Sequence, residues 1–188
     1  MTRTAIVLAG YLILGFAFYF QVPAVPQPKP IVPVTAAHIK SEVKREQSEK
    51  ARQAAKKKYE RAVAAARMVY RTNHVRETFS EITAKVAIEY GLSPRLLAGV
   101  VTVESHGNVQ AKDGLGSVGL MQVDAKVWGH RADLTDPEKN IRIGANILSA
   151  YVRKYGLVEG LHHYNGYSEV HGHIYVNKVL TAAQIVVF

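Results

Sequence analysis

Glu104 stands at the end of an apolar stripe. Leu97, Val100 and Val101 precede it by seven, four and three residues, so on a helix all three share its face. A carboxylate there is desolvated. In a last turn it also meets the negative end of the helix dipole. Both effects disfavour the charged form and raise the pKa, which is what a general acid working near neutral pH requires. The alternative is a side chain turned to solvent or paired with a Lys or Arg. A second feature is Gly114-Leu115-Gly116-Ser117-Val118-Gly119, which has the G-x-G-x-x-G spacing of a dinucleotide site. Such a site must follow a strand directly. The only β-like run, Val100–Val103, lies well upstream and reads better as helix. The glycines read instead as a loop that lets backbone approach a ligand closely.

Four histidines, His162, His163, His171 and His173, raise a zinc-peptidase reading through His171-Gly172-His173. The partner H-x-x-x-D and any H-E-x-x-H are missing, and Glu104 would then have no role. No metal and no cofactor are expected. The chain has no cysteine, so disulfides and thiolate metal sites are excluded.

The elements that must position these residues are mainly helical. Phe79, Ile82, Val86 and Tyr90 run at helical spacing, with Gly91 as the stop. Ser93-Pro94 reads as N-cap and N1 of the helix carrying Glu104, which Gly107 ends. Asp136-Pro137 repeats that signal. Ile141, Ala145, Leu148, Val152 and Tyr155 then share a face, and Gly156 stops the helix. Short helices are predicted near Val158–Tyr164 and Ile174–Gln184, and no convincing pair of strands. Ahead of this domain (77–188) come a span (1–24), a Pro-rich spacer (25–35) and a basic helical stalk (36–76).

The net charge of +9 belongs to the stalk, which holds twelve Lys and Arg against four Glu; residues 77–188 are nearly neutral. The stalk is rich in Ala, Lys, Glu and Arg, and reads as a solvated helix. A surface for anionic polymers or lipid, or a partner helix, is the sharper alternative. It lacks interleaved aromatics, so no nucleic acid is expected. Ala5–Val22 is apolar over about 18 residues, roughly 27 Å of helix, just enough to span a hydrocarbon core. That length favours an uncleaved anchor over a signal peptide cleaved near Val22-Pro23-Ala24. Arg3 favours an inside N-terminus with the remainder outside.

Glu104-Ser105, then Gly116-Ser117-Val118-Gly119-Leu120-Met121-Gln122, then Tyr164-Asn165-Gly166 resembles the motif series of soluble lytic transglycosylase (SLT-type) domains. Tyr90-Gly91-Leu92-Ser93-Pro94, Asp136-Pro137 with Asn140-Ile141 and Gly144, and Tyr175-Val176 with Val179-Leu180 are similar too. The resemblance covers roughly residues 77–181. It implies a goose-lysozyme-like, mainly α fold that cleaves the MurNAc–GlcNAc β-1,4 bond of peptidoglycan. By that resemblance Glu104 is the sole catalytic acid and base. The substrate acetamido oxygen attacks C1, and a 1,6-anhydromuramoyl product leaves without water. Ser105, Asp113, Ser117, Gly119, Leu120, Met121, Gln122, Tyr164 and Asn165 are the expected substrate-binding residues. Met121 and Gln122 would line the sugar subsite; Tyr164 and Asn165 would hold the acetamido group and hydroxyls.

Two departures bear on function. Leu161-His162-His163 replaces the family's alanine-rich approach to Tyr-Asn, and Tyr167 follows Gly166. Asp113 sits where the family often has a small polar residue; it could bind substrate, or serve as a second carboxylate and make the enzyme a hydrolytic lysozyme. A catalytically silent, membrane-anchored scaffold is the remaining alternative. The expected partners are peptidoglycan strands, a membrane through the N-terminal helix, and envelope-spanning or virion proteins through the stalk. The expected location is membrane-anchored, with the domain facing periplasm or wall, or within a phage virion.

Overall fold

The computed structural model describes residues 35–129, 133–166 and 172–187. The apolar segment Ala5–Val22, most of the spacer, His171 and Tyr167 lie outside the described residues. Among the described residues no helix is long and apolar enough to cross a membrane. The chain divides into two units, Met1–Ser41 and Glu42–Phe188. Of the first, only the opening turns of one helix are described.

The fold is mainly α. Helix α1 spans Ala36–Thr72, α2 Ser80–Tyr90, α3 Pro94–Ser105, α4 Ala125–Trp128, α5 Pro137–Tyr155, α6 Leu157–Tyr164 and α7 Gly172–Ala183. A 3₁₀ turn, Glu77–Phe79, leads into α2. The predicted punctuation is in place. Gly91 caps α2 in the left-handed region at φ 69°. Ser93 accepts a hydrogen bond from the Leu96 N–H and Asp136 from the Lys139 N–H, each with proline in the first turn. His106, at φ 51°, caps α3 one residue ahead of the predicted Gly107.

Two elements differ from expectation. Ser117–Val118 (β1) and Val123–Asp124 (β2) form an antiparallel hairpin, too short for any alternating pattern to announce it. The stalk is also not solvated throughout. Residues 35–61 are exposed, but Ala62, Val63, Ala66, Val69 and Tyr70 are buried. Ala66, Val69 and Tyr70 belong to the same core as Leu97, Val100 and Val101. The Tyr70 hydroxyl lies 2.6 Å from Thr83 Oγ1 in α2, and Asn73 Nδ2 donates to the Ala182 carbonyl in α7 at 3.0 Å. Burying these apolar residues stabilises the end of α1 on the domain by about 1–2 kcal/mol each.

Helix α3 is the centre of the core: Leu96 through Thr102 are all buried. Gly99 is where α7 crosses it. A Cβ there would stand 2.7 Å from Ala183 Cβ and 2.9 Å from the Val179 carbonyl oxygen, so glycine permits the close crossing. That crossing sets the start of α7 against the end of α3, where Glu104 sits. On the outside, Arg142 of α5 pairs with Glu89 of α2 and with Glu138, which also meets Lys85. Such exposed pairs contribute little each.

Candidate active site

Glu104 is half-buried at the end of the apolar side of α3. Burial is the main cause that pushes its pKa up to about 7. The negative charge of Asp113 adds to the rise. A hydrogen bond from the Tyr175 hydroxyl to Glu104 Oε1, at 2.6 Å, partly offsets it. In the neutral acid, a donor on Oε1 leaves the proton on Oε2. Glu104 therefore presents one fixed proton rather than two interchangeable oxygens. Tyr175 is buried, and its own hydroxyl is held well above the usual phenol range, first by burial and then by the Glu104 charge. Its side chain remains a donor.

Cavities open on two sides of the carboxyl. One, about 320 Å³, is lined by Val103, Glu104, Asn165, Ile174, Tyr175 and Lys178. The other, about 630 Å³, has Glu104, Asp113, Ser117, Gln122, Trp128 and Tyr164 among its lining residues. Glu104 and Asn165 border both, so space extends in either direction from the acid. The larger wall carries three carboxylates and no Lys or Arg among the described residues. It suits a neutral polyol and repels a phosphate. The glycines of 114–119 follow no strand; the first strand, β1, lies inside them. That arrangement is not a dinucleotide site.

Asp113 organises this loop. Its Oδ1 accepts the backbone N–H groups of Leu115 (2.9 Å), Gly116 (2.7 Å) and Ser117 (2.7 Å). Those bonds, led by Ser117, hold its carboxyl below the usual range. The loop tip then presents Leu115, 81% exposed, to the cavity. The environments of Glu104 and Asp113 thus push two carboxyl groups in opposite directions.

The turn after the loop is fixed from beneath by Asn140 of α5. Its Nδ2 donates to the Val118 and Leu134 carbonyls, and its Oδ1 accepts the Met121 N–H, all at 2.8 Å. Gly119, at φ 82°, packs on this amide so closely that no Cβ fits. Gln122 also takes a left-handed backbone (φ 47°), which costs a non-glycine residue about 1–2 kcal/mol. Its Nε2 donates to the Gly119 and Ala111 carbonyls, leaving the amide oxygen for the cavity.

Four of the expected binding residues, Ser105, Gly119, Leu120 and Met121, are absent from the lining of both cavities beside Glu104. Met121 is fully buried. Its side chain is packed against Gly144, so it backs the cavity wall from inside. Leu120 is equally buried, and Gly119 is a backbone device. Ser105 does not reach the cavity: its hydroxyl bridges the Val101 and Leu120 carbonyls and accepts the Gly107 N–H, clipping α3 to the turn. The Tyr164 hydroxyl donates to the Met121 carbonyl at 2.8 Å while its ring lines the cavity. Gln122, Asp113, Ser117, Tyr164 and Asn165 do come together with Glu104. Tyr175 carries no site role in the sequence reading; the signals for one are the Tyr175-Val176 resemblance and a hydroxyl among the apolar positions of α7. Among the described residues no group of His, Asp or Glu could hold a metal ion.

The SLT transglycosylase domain model matches residues 81–175, from the opening of α2 to Tyr175. The chain belongs to this family. A transglycosylase of Enterobacteria phage PRD1 is 40% identical over 79 residues, 40% of this chain and 29% of that protein. An endo-type membrane-bound lytic murein transglycosylase A of Cronobacter sakazakii is 33% identical over 93 residues, 43% of this chain and 45% of that one. The chain thus spans less than half the length of either relative. The family match takes in Glu104, the Asp113–Gln122 loop and Tyr164-Asn165.

Proposed function

We propose that the chain is a peptidoglycan lytic transglycosylase with Glu104 as its sole acid and base. The observation that carries this reading is a single carboxyl with a pKa raised to about 7, flanked by space on both sides. A glycan strand lies across it. Glu104 protonates the glycosidic oxygen through Oε2, and the acetamido oxygen of the same MurNAc attacks C1 as the C1–O4 bond breaks and GlcNAc leaves with its 4-hydroxyl. The resulting carboxylate takes the C6 hydroxyl proton, and O6 closes on C1, breaking the C1–acetamido oxygen bond, to give the 1,6-anhydro sugar. No bond to water forms, so no second carboxylate is needed. Asn165, Gln122 and Ser117 line the cavity with Glu104, and in this reading Asn165, the Gln122 amide oxygen and Ser117 hold acetamido and hydroxyl groups. The test is digestion of purified peptidoglycan by the full chain. Soluble anhydromuropeptides are expected from wild type and none from Glu104→Gln; intact wall with both proteins would refute the reading.

A hydrolytic variant is favoured by one observation, the ionised Asp113 on the same wall, which could activate a water. Reducing-end products would establish it. The biological setting we propose is a membrane tether: the apolar segment Ala5–Val22 and the Pro-rich spacer would hold the domain near the wall, for local opening in phage entry or exit or in a secretion machine. A membrane-bound relative and a phage relative support that setting. Flotation of the full chain with membrane vesicles, against a chain starting at residue 36, tests it.

A further inference from the structure

We propose that the Tyr151–Tyr155–His163 ring stack is a saccharide platform, on which a second sugar ring of the strand lies while the bond at Glu104 is cleaved. The proposal rests on the reading of the larger cavity as a glycan cleft and assigns its remaining wall.

The stack follows from the chain reversal at Gly156. Tyr151 and Tyr155 are one turn apart on α5. Helix α6 folds back along α5 and sets His163 over both. The His163 ring is nearly parallel to Tyr155 (centroids 4.0 Å, 22°) and to Tyr151 (5.6 Å, 23°). Lys154 Nζ lies 4.7 Å from the Tyr155 ring centroid, bracing the outer ring. Tyr151 and His163 line the same cavity as Glu104, beside Ile147 and Trp128. This stretch of wall is aromatic and apolar and carries no carboxylate.

A pyranose ring with equatorial substituents carries axial C–H groups on both faces, three on one of them. Those hydrogens are electron-poor and rest on the negative face of an aromatic ring. A rigid ring pair loses little entropy on binding, whereas long flexible side chains would lose much. An anionic group gains nothing here, because the described lining carries Asp113, Asp124 and Glu104 but no Lys or Arg. The ligand that fits is the neutral body of an amino sugar.

The experiment uses the full chain and soluble, un-cross-linked GlcNAc–MurNAc strands of graded length. His163→Ala is expected to raise KM on long strands about three- to tenfold, with a smaller fall in kcat. The effect should vanish on the shortest strand still cleaved, which cannot cover both acid and platform. His163→Phe should restore most of the lost affinity. An unchanged KM, an equal loss on short and long strands, or no rescue by Phe would overturn the proposal. Wild type inactive on every strand would instead refute the cleavage reading. Calorimetry of the same strands with Glu104→Gln, with and without His163→Ala, then judges the platform alone: equal affinities overturn it, and weaker binding without the histidine supports it.

Discussion

Tyr175 and Glu104 lie 71 residues apart, and the tyrosine hydroxyl donates a 2.6 Å hydrogen bond to the glutamate Oε1. This bond favours the ionised carboxyl, against the burial that disfavours it. Tyr175→Phe should therefore raise the Glu104 pKa further. The alkaline limb of kcat/KM is expected to move to higher pH, while kcat at the optimum falls about tenfold or more, because the acid is no longer oriented. An unmoved limb would mean that Tyr175 only fills space.

Asp113→Asn should move the limb the other way. Asparagine keeps the Oδ1 that caps Leu115, Gly116 and Ser117 but removes the charge that raises the Glu104 pKa. The alkaline limb should drop to lower pH with the loop intact. A pH–rate profile of both variants reads the two opposite shifts. If Asp113 were a water-activating base, the substitution would instead abolish cleavage at every pH.

Glu104 also costs stability. Its folded pKa of about 7 lies above the ordinary 4.5, so the native state binds more protons than the unfolded state between those values. The penalty is absent below the ordinary value, grows as pH rises, and is complete above about 7. Glu104→Gln should stabilise the fold at pH 8 by on the order of 2–3 kcal/mol and by little at pH 4, read as the difference in thermal midpoints. Equal midpoints at pH 8 would contradict the raised pKa.

Asn140→Ala should destabilise by about 3 kcal/mol or more, because the Val118 and Leu134 carbonyls and the Met121 N–H lose their partner. Urea denaturation measures it. Activity should fall with stability, since the turn that delivers Gln122 hangs on this amide.

Much of the frame can be read locally. Ser93-Pro94, Asp136-Pro137, Gly91 and Gly156 punctuate helices through short-range chemistry, and the apolar stripe ahead of Glu104 lies within two turns of one helix. What could not be read is non-local. Alanine and valine at the end of α1 look alike in a solvated stalk and in a core, and only α2 and α7 decide between them. Met121 and Gln122 are adjacent in sequence, yet Asn140 and Gly144 take the first inward and leave the second at the cavity. The Tyr175–Glu104 bond depends on the close crossing at Gly99, which no spacing reveals.

In the proposed mechanism Glu104 breaks the glycan bond, and the substrate's own hydroxyl, not water, closes the product. Digestion of purified peptidoglycan in ¹⁸O-labelled water, followed by mass spectrometry of the released muropeptides, tests this most directly. Wild type should release 1,6-anhydro products without label, and Glu104→Gln none. One ¹⁸O at the reducing end of each new MurNAc would contradict that mechanism.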